Sequence, residues 1–380
     1  MAKRIKIFKR LYLALRSAKL SVFSVFTSPM RQKEFSKEST RSVFVVSLKR
    51  IGDAILSIPT FRAIKKSIPQ SLVTVYADPY IQDILERIPD IDAIIPYKKR
   101  SSFLKKARQV RKLTYNAFDL AVDLTCDYTL GGALWTLLSG ARYRVGYDTR
   151  KRGFLFNRPL KHEPEGKHII DEILAIVQSI GLETRDKSLS LSASKEAEEM
   201  VQKFLREKDM KSGEMLIGIH PGGYYITQRW LPERFAEVAD RLVQKHEARI
   251  ILMGGPKEEK LIAEIEAGMI QQPITALNQP LGNLLSLIQA CQLLICNNSG
   301  PLHMATAVGT PTVSTMGPTV PERWWPQGDE HQVIRKNLPC MPCNEGYCRL
   351  KTLDCMKSIT VEDMLEAVER QISKIKKSRK

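Results

Sequence analysis

The sequence has no uninterrupted apolar run near the roughly 20 residues that a spanning helix requires, which disfavours a multispan membrane architecture. It lacks an A-x-A-like cleavage pattern behind its hydrophobic N-terminal part, so secretion is not indicated. The glycine-rich dinucleotide fingerprint is missing as well. Gly52 stands alone in a strand-to-helix turn where three glycines would let a pyrophosphate approach the backbone, and a nicotinamide enzyme is thereby disfavoured. Acidic side chains are few: 59 Lys and Arg face 41 Asp and Glu.

The resulting formal charge of +18 suits an anionic partner, whether phospholipid, lipopolysaccharide, nucleotide sugar or nucleic acid. Ten basic side chains against Glu34 and Glu38 fall within residues 1–40, so much of the imbalance sits in one terminal arm. Drawn as a helix from Ile5 to Phe26, that arm sets Phe8, Leu11, Tyr12, Leu15, Val22, Val25 and Phe26 opposite Lys6, Lys9, Arg10 and Arg16. Lys19, Leu13 and Leu20 spoil the separation, so a membrane-surface helix and a disordered tail both remain open.

A length of 380 residues calls for two cores, and a hydrophobic share of 43% can supply them. From Ser42 onward, short β-branched runs alternate with helical patterns, the form of a parallel sheet with crossover helices. Strands are expected at Val43 to Leu48, Leu72 to Ala77, Asp92 to Tyr97 and Asp119 to Leu124, with a helix over Ala54 to Ser67. A second series reads Met215 to His220, a helix from Pro232 to Lys245, Arg249 to Gly255, Gln292 to Asn297 and Thr310 to Met316. Between the series, Ser192 to Lys211 is a polar helical segment dense in Lys and Glu, which fits a solvated connector better than a core element. The chain thus divides into an arm (1–40), a first Rossmann-like domain (41–190), a linker (191–212), a second such domain (213–358) and a terminal helix with basic tail (359–380).

In open sheets of this kind ligands gather at the carboxyl ends of the strands. Asp53 follows Gly52 at the first such turn, either as a helix cap or as a general base on a hydroxyl. In Ile217 to Phe235, Gly222 and Gly223 precede Arg229, so backbone amides and one cation can meet a phosphate there. A salt bridge at a helix start is the plainer alternative for Arg229. Asn298, Ser299 and Gly300 precede a helix whose unpaired amides favour an anion, although Asn298 or Ser299 can cap it and His303 can be a core residue.

The stretches VSLKRIGDAILSIPTFRAIKK, HPGG with RWLPERFAEVADRL, ILMGGPKEE and NNSGPLHMATAVGTPTV, in that order, resemble glycosyltransferase family 9, whose best known members are ADP-heptose lipopolysaccharide heptosyltransferases. The similarity runs from about Arg41 to the terminal helix. It implies an α/β protein of GT-B fold, two Rossmann-like domains with an interdomain cleft, the second binding the donor and the first the acceptor. It also implies inversion at the anomeric carbon with no cofactor required for catalysis. Asp53 matches the family's aspartate and would be the base, with Arg229 at the position of a basic residue on the donor phosphates. Gly222, Gly223, Gly255, Asn298, Ser299, Gly300 and His303 would bind the donor, and Lys49 and Arg50 the acceptor. Asn298 departs from the aspartate common in the family, which leaves the donor sugar open. The expected partners are a nucleotide-sugar donor, an anionic lipid-linked saccharide acceptor and the inner-membrane surface, with the protein cytoplasmic, peripheral on that membrane, and no nucleic acid bound.

Cys340, Cys343, Cys348 and Cys355 are spaced C-x2-C-x4-C-x6-C, which allows a structural zinc, two disulfides or four free thiols. Beyond them Thr360 is a helix cap, with Asp363 three residues later in place of the usual Glu or Gln. A nucleic-acid-binding protein and a nucleotide-sugar epimerase of the same fold are the rival readings.

Overall fold

The computed structural model of the protein describes residues 34–47, 50–97, 102, 105, 118–126, 129–163 and 166–378. Most of the basic arm, including the helix expected over residues 5–26, and Lys49 lie outside the described residues. The chain forms two compact units. One takes in the described part of Met1–Lys49 together with Ser57–Lys187, and the other Arg50–Leu56 with Ser188–Lys380.

The first unit holds strands β1 (Ser42–Val46), β2 (Leu72–Ala77), β3 (Ala93–Pro96), β4 (Leu120–Asp123), β5 (Tyr143–Asp148) and β6 (Arg158–Lys161). They pair in parallel in the order β3-β2-β1-β4-β5-β6. Val43, Phe44, Val45 and Val46 are all buried, as the apolar run of a sheet covered on both faces requires. Phe44, Tyr76, Phe118 and Trp135 make an aromatic cluster, with Tyr76 edge-on to Trp135 at 5.2 Å between centroids. At the end of β4, Asp123 and Arg152 form an ion pair at 3.3 Å with both side chains fully buried. Arg152 also donates to the carbonyls of Tyr147 (2.8 Å), Thr129 (2.8 Å) and Thr125 (2.5 Å), so its buried charge is satisfied and it fixes the turn after the strand.

The second unit repeats the plan with β7 (Leu216–His220), β8 (Arg249–Gly254), β9 (Ile274–Leu277), β10 (Leu293–Asn297), β11 (Thr312–Thr315) and β12 (His331–Ile334). Its order, β12-β11-β10-β7-β8-β9, is the same doubly wound order counted from β7. The core of this unit runs from Ile217, Ile219, Phe235 and Leu252 to Met364, Val368 and Ile372 of the terminal helix. That helix, Val361–Ser378, starts with a reciprocal box: the Thr360 amide donates to Asp363 Oδ2 (2.8 Å) and the Asp363 amide to Thr360 Oγ1 (3.1 Å). No helix among the described residues is long and apolar enough to cross a membrane.

One expectation is corrected by the structure. The single helix over Ala54 to Ser67 is two helices, Ile51–Leu56 and Ile58–Ser67, because Pro59 has no amide to carry the first helix through Ser57. Arg50–Leu56, inside the 41–190 expected for the first domain, groups with the second unit. The polar helical segment between the series is the helix Lys195–Glu207, capped by Ser194, and it packs one side, burying Ala197, Val201 and Leu205. Those three lie four residues apart, a narrow apolar stripe among many charges, and Glu198 accepts from Gln289 Nε2 (3.0 Å) on the Leu281–Ala290 helix.

Candidate functional site

In the second unit β7 and β10 are neighbours, Cys296 paired with His220, and the chain winds away from them toward opposite edges of the sheet. This is the switch point at which an open sheet leaves a crevice beyond its carboxyl ends. Two loops leave it: His220 to Gly223, and Asn297 to Gly300.

Asn297, the last residue of β10 and fully buried, ties these loops together. Its Nδ2 donates to the carbonyls of Pro221 (2.6 Å) and Gly222 (3.2 Å). Its Oδ1 accepts from the Trp230 amide (3.0 Å) and from Thr315 Oγ1 (2.7 Å). Two donors and two acceptors exhaust a side-chain amide, so Asn297 is a fixed junction. Asn298, expected on the donor side, is the next residue; it is buried too, and its side chain donates to the Trp324 carbonyl at 3.4 Å.

Ser299 stands at the N-cap of the Gly300–Val308 helix without capping it through its side chain, and its Oγ donates to the Asn297 carbonyl (3.3 Å). The capping role considered for Ser299 is therefore not the one it plays. At the helix start Pro301 has no amide and the Leu302 amide donates to the Ser299 carbonyl (3.1 Å), which leaves the Gly300 amide as the one an anion would meet first.

Arg229 Nε donates to the Gly223 carbonyl (3.0 Å), and its guanidinium lies 3.8 Å from Glu258 Oε1. Both side chains are largely covered, so the cation is held against the loop rather than trailing in solvent. Glu258 also accepts from the Gly255 amide through Oε2 (3.2 Å), which links the Gly222–Gly223 and Gly255 loops. Glu258 was missed in the sequence, although the GGPKEE stretch carries it. His220 was passed over as well. Burial pushes its imidazole down to about 4, so the ring is neutral at neutral pH, and its Nδ1 has no hydrogen-bond partner.

Asp53 occupies the first turn of the Ile51–Leu56 helix, two residues inside its start, half-buried. It is thus not at the cap position. That helix lies against the start of the Gly300–Val308 helix, and glycine on both sides of the contact eases the close approach. A Cβ on Gly52 would stand 3.1 Å from His303 Cδ2, and one on Gly300 would stand 3.3 Å from Ile51 Cβ. The turn that carries Asp53, the start of the Gly300–Val308 helix and His303 therefore belong to one unit. His303 is buried, with its ring 6.4 Å from that of Trp324, which fits the core reading weighed for it. Arg50 stacks its guanidinium over the Tyr224 ring at 4.2 Å. That places Arg50 on the loop that ends in Arg229.

All seven cysteines are free thiols. Among the described residues no group of three or more His, Cys, Asp or Glu is arranged as a metal site, while Cys343, Cys340 and Cys348 lie near enough to Cys355 to act on its thiol. Cys355 is drawn into the core beside Met356, and burial pushes its thiol up to about 11. Cys340 is exposed, while Cys343 and Cys348 are half-buried. Backbone amides, that of Leu353 first, hold the Cys348 thiol below its ordinary range.

The glycosyltransferase family 9 (heptosyltransferase) profile matches residues 106–354. Lipooligosaccharide heptosyltransferase 2 of Campylobacter jejuni subsp. jejuni is 27% identical over 326 residues, covering 84% of this chain and 96% of that protein. Lipopolysaccharide heptosyltransferase 3 of Escherichia coli K12 is 27% identical over 334 residues, covering 84% and 94%. In fold, the chain is similar to the E. coli ADP-heptose LPS heptosyltransferase II, with a TM-score of 0.75 and 22% identity over 88% of this chain and 99% of that one. It is also similar to the glycosyl transferase family 9 structure from Veillonella parvula, with a TM-score of 0.78 and 22% identity over 90% and 100%. Two Rossmann-like units in one chain agree with the GT-B arrangement of these structures.

Proposed function

This chain belongs to glycosyltransferase family 9 and is a glycosyltransferase, and from that premise we propose that it moves a heptose from ADP-heptose to a hydroxyl of a lipopolysaccharide-core or related lipid-linked acceptor. Asp53 takes the proton of the acceptor hydroxyl, whose oxygen attacks the anomeric carbon. The bond from that carbon to the diphosphate breaks, and the nucleoside diphosphate leaves with the electron pair. One in-line displacement inverts the anomeric centre.

Arg229 and the Gly300 amide at the start of the Gly300–Val308 helix offset the charge that develops on the diphosphate. Gly222 and Gly223 let the phosphates come close to the backbone, and Glu258 holds Arg229 in place. Asn298, Gly255 and Ser299 line the donor side, and Arg50 the acceptor side. His303 supports the approach of Gly52 that carries Asp53. These roles call on side chains and backbone alone, without a metal. The reading rests above all on one observation, the packing of Asp53's helix onto the start of the Gly300–Val308 helix through Gly52 and His303. The charge of +18 supports an anionic lipid-linked acceptor and work at the cytoplasmic face of the inner membrane.

Arg229→Ala is expected to lower kcat/KM for the donor by about a hundredfold, as loss of one preorganised charge-stabilising donor does. Arg229→Lys keeps the charge but not the planar fork that meets the Gly223 carbonyl, and should fall between wild type and Arg229→Ala. Steady-state rates with ADP-heptose varied at saturating acceptor decide the point. Donor kinetics unchanged in both variants would remove Arg229 from the site.

A further inference from the structure

The Arg229 loop does not hold its shape alone. Residues 224–229 pack against the cysteine-rich segment, more than a hundred positions later in the chain, at two points, and a third contact reaches Thr319. Thr227, itself buried, donates from Oγ1 to the Glu345 carbonyl (2.9 Å). The Tyr225 ring lies flush on Gly346, where an added Cβ would stand 2.5 Å from Tyr225 Cε1. Gln228 Nε2 reaches Thr319 Oγ1 (3.4 Å), next to Pro318, whose carbonyl accepts from the Asn344 amide (2.8 Å). Beneath them Gly317 leaves room for Met356, whose sulfur would be 2.5 Å from a Cβ at that position.

Tyr225 is tied to Arg229 by a short turn. The Gln228 amide donates to the Tyr225 carbonyl (3.0 Å) and the Arg229 amide to the Ile226 carbonyl (3.1 Å). Gln228 Oε1 in turn accepts from the Tyr225 amide (3.3 Å). A displacement of the Tyr225 backbone is therefore passed along a hydrogen-bonded turn to the cation.

We propose that the cysteine-rich segment is a positioning element for the donor loop, with Gly346 the residue through which it sets Tyr225 and hence Arg229. This rests on the reading of Arg229 as the cation that meets the donor diphosphate. Gly346 is glycine because the ring occupies the space of a side chain. Any larger residue there pushes the ring outward, and a small misplacement of a preorganised charge is costly to binding and rate.

The test compares Gly346→Ala, Tyr225→Ala and the double variant in the full chain. Hydrogen exchange at residues 222–229 should quicken in Gly346→Ala, while the terminal helix and β7 to β11 keep their protection. ADP, the probe ligand, should bind about tenfold more weakly to Gly346→Ala, since the loop is displaced rather than lost. With the ring removed by Tyr225→Ala, the added methyl has nothing to push, so the double variant should bind ADP no worse than Tyr225→Ala alone. Unchanged loop exchange in Gly346→Ala, or losses in ADP affinity that multiply in the double variant, would overturn the proposal. So would quickened exchange with ADP binding intact, if Arg229→Ala abolishes that binding. If Arg229→Ala leaves ADP binding untouched, the donor reading itself is what falls, and the exchange data still judge the mechanical link.

Discussion

Replacing Asp53 with Asn is expected to leave a folded, nucleotide-binding protein whose turnover is reduced by about a hundred- to ten-thousandfold, the range of a lost general base. The two side chains have the same shape, and both are tolerated in the first turn of a helix. Loss of the favourable meeting of a carboxylate with the helix start costs about 0.3–1 kcal/mol. Gly52 and its contact with His303 are untouched, so the packing of the Ile51–Leu56 helix persists. An amide cannot accept the hydroxyl proton, and the step that makes the nucleophile stops. Single-turnover rates with ADP-heptose and acceptor, beside ADP affinity measured by titration, separate chemistry from binding. Equal loss of affinity and rate would make Asp53 a structural residue of the second unit, and a retained rate would move the base elsewhere.

The second large effect lies at Asn297. Asn297→Ala strands the Pro221 and Gly222 carbonyls, the Trp230 amide and the Thr315 hydroxyl in a buried place that all four share. With a buried unpaired group costing about 1–3 kcal/mol, and some relief from relaxation or an entering water, the second unit should lose about 3 kcal/mol of stability. Asn297→Asp should not rescue it, because a carboxylate has no hydrogens for the two carbonyls. Urea unfolding followed by tryptophan fluorescence reads the change at Trp230, which is buried and bonded through Nε1 to the Ile359 carbonyl (3.0 Å). An Asn297→Ala protein as stable as wild type would show that the junction does not hold the two loops.

The central strands were legible because their residues must be apolar on both faces, and β1, β2, β4, β7, β8, β10 and β11 fall within a residue or two of the runs read from the sequence. The strands that escaped are β5, β6, β9 and β12, of which the last three close the edges of the two sheets. Arg158–Lys161 and His331–Ile334 have one unpaired side each, so they carry Arg, Lys, His and Gln where an inner strand cannot.

In the site, the loops were legible because glycines and helix starts leave local marks, and Gly222, Gly223, Ser299 and Gly300 all lie where the strands end. Tertiary choices left no such mark. Nothing in CNN tells which asparagine turns inward, and only the packing of Trp230 and Pro221 singles out Asn297. Nothing in RIGDAIL tells that this turn leaves the unit that holds β1 and joins the other, a transfer set by Gly52 fitting against His303. Glu258 and Gly346 were silent for the same reason, since each matters through a residue distant in sequence.

The account stands or falls on acceptor-dependent transfer, which is measured by incubating the protein with ADP-heptose, with and without a lipopolysaccharide-core acceptor, and determining both ADP release and the anomeric configuration of the product by NMR. The account predicts ADP released in step with acceptor consumed, and a glycosidic bond of configuration opposite to that of the donor. ADP release that ignores the acceptor, or a product that keeps the donor's configuration, would contradict it.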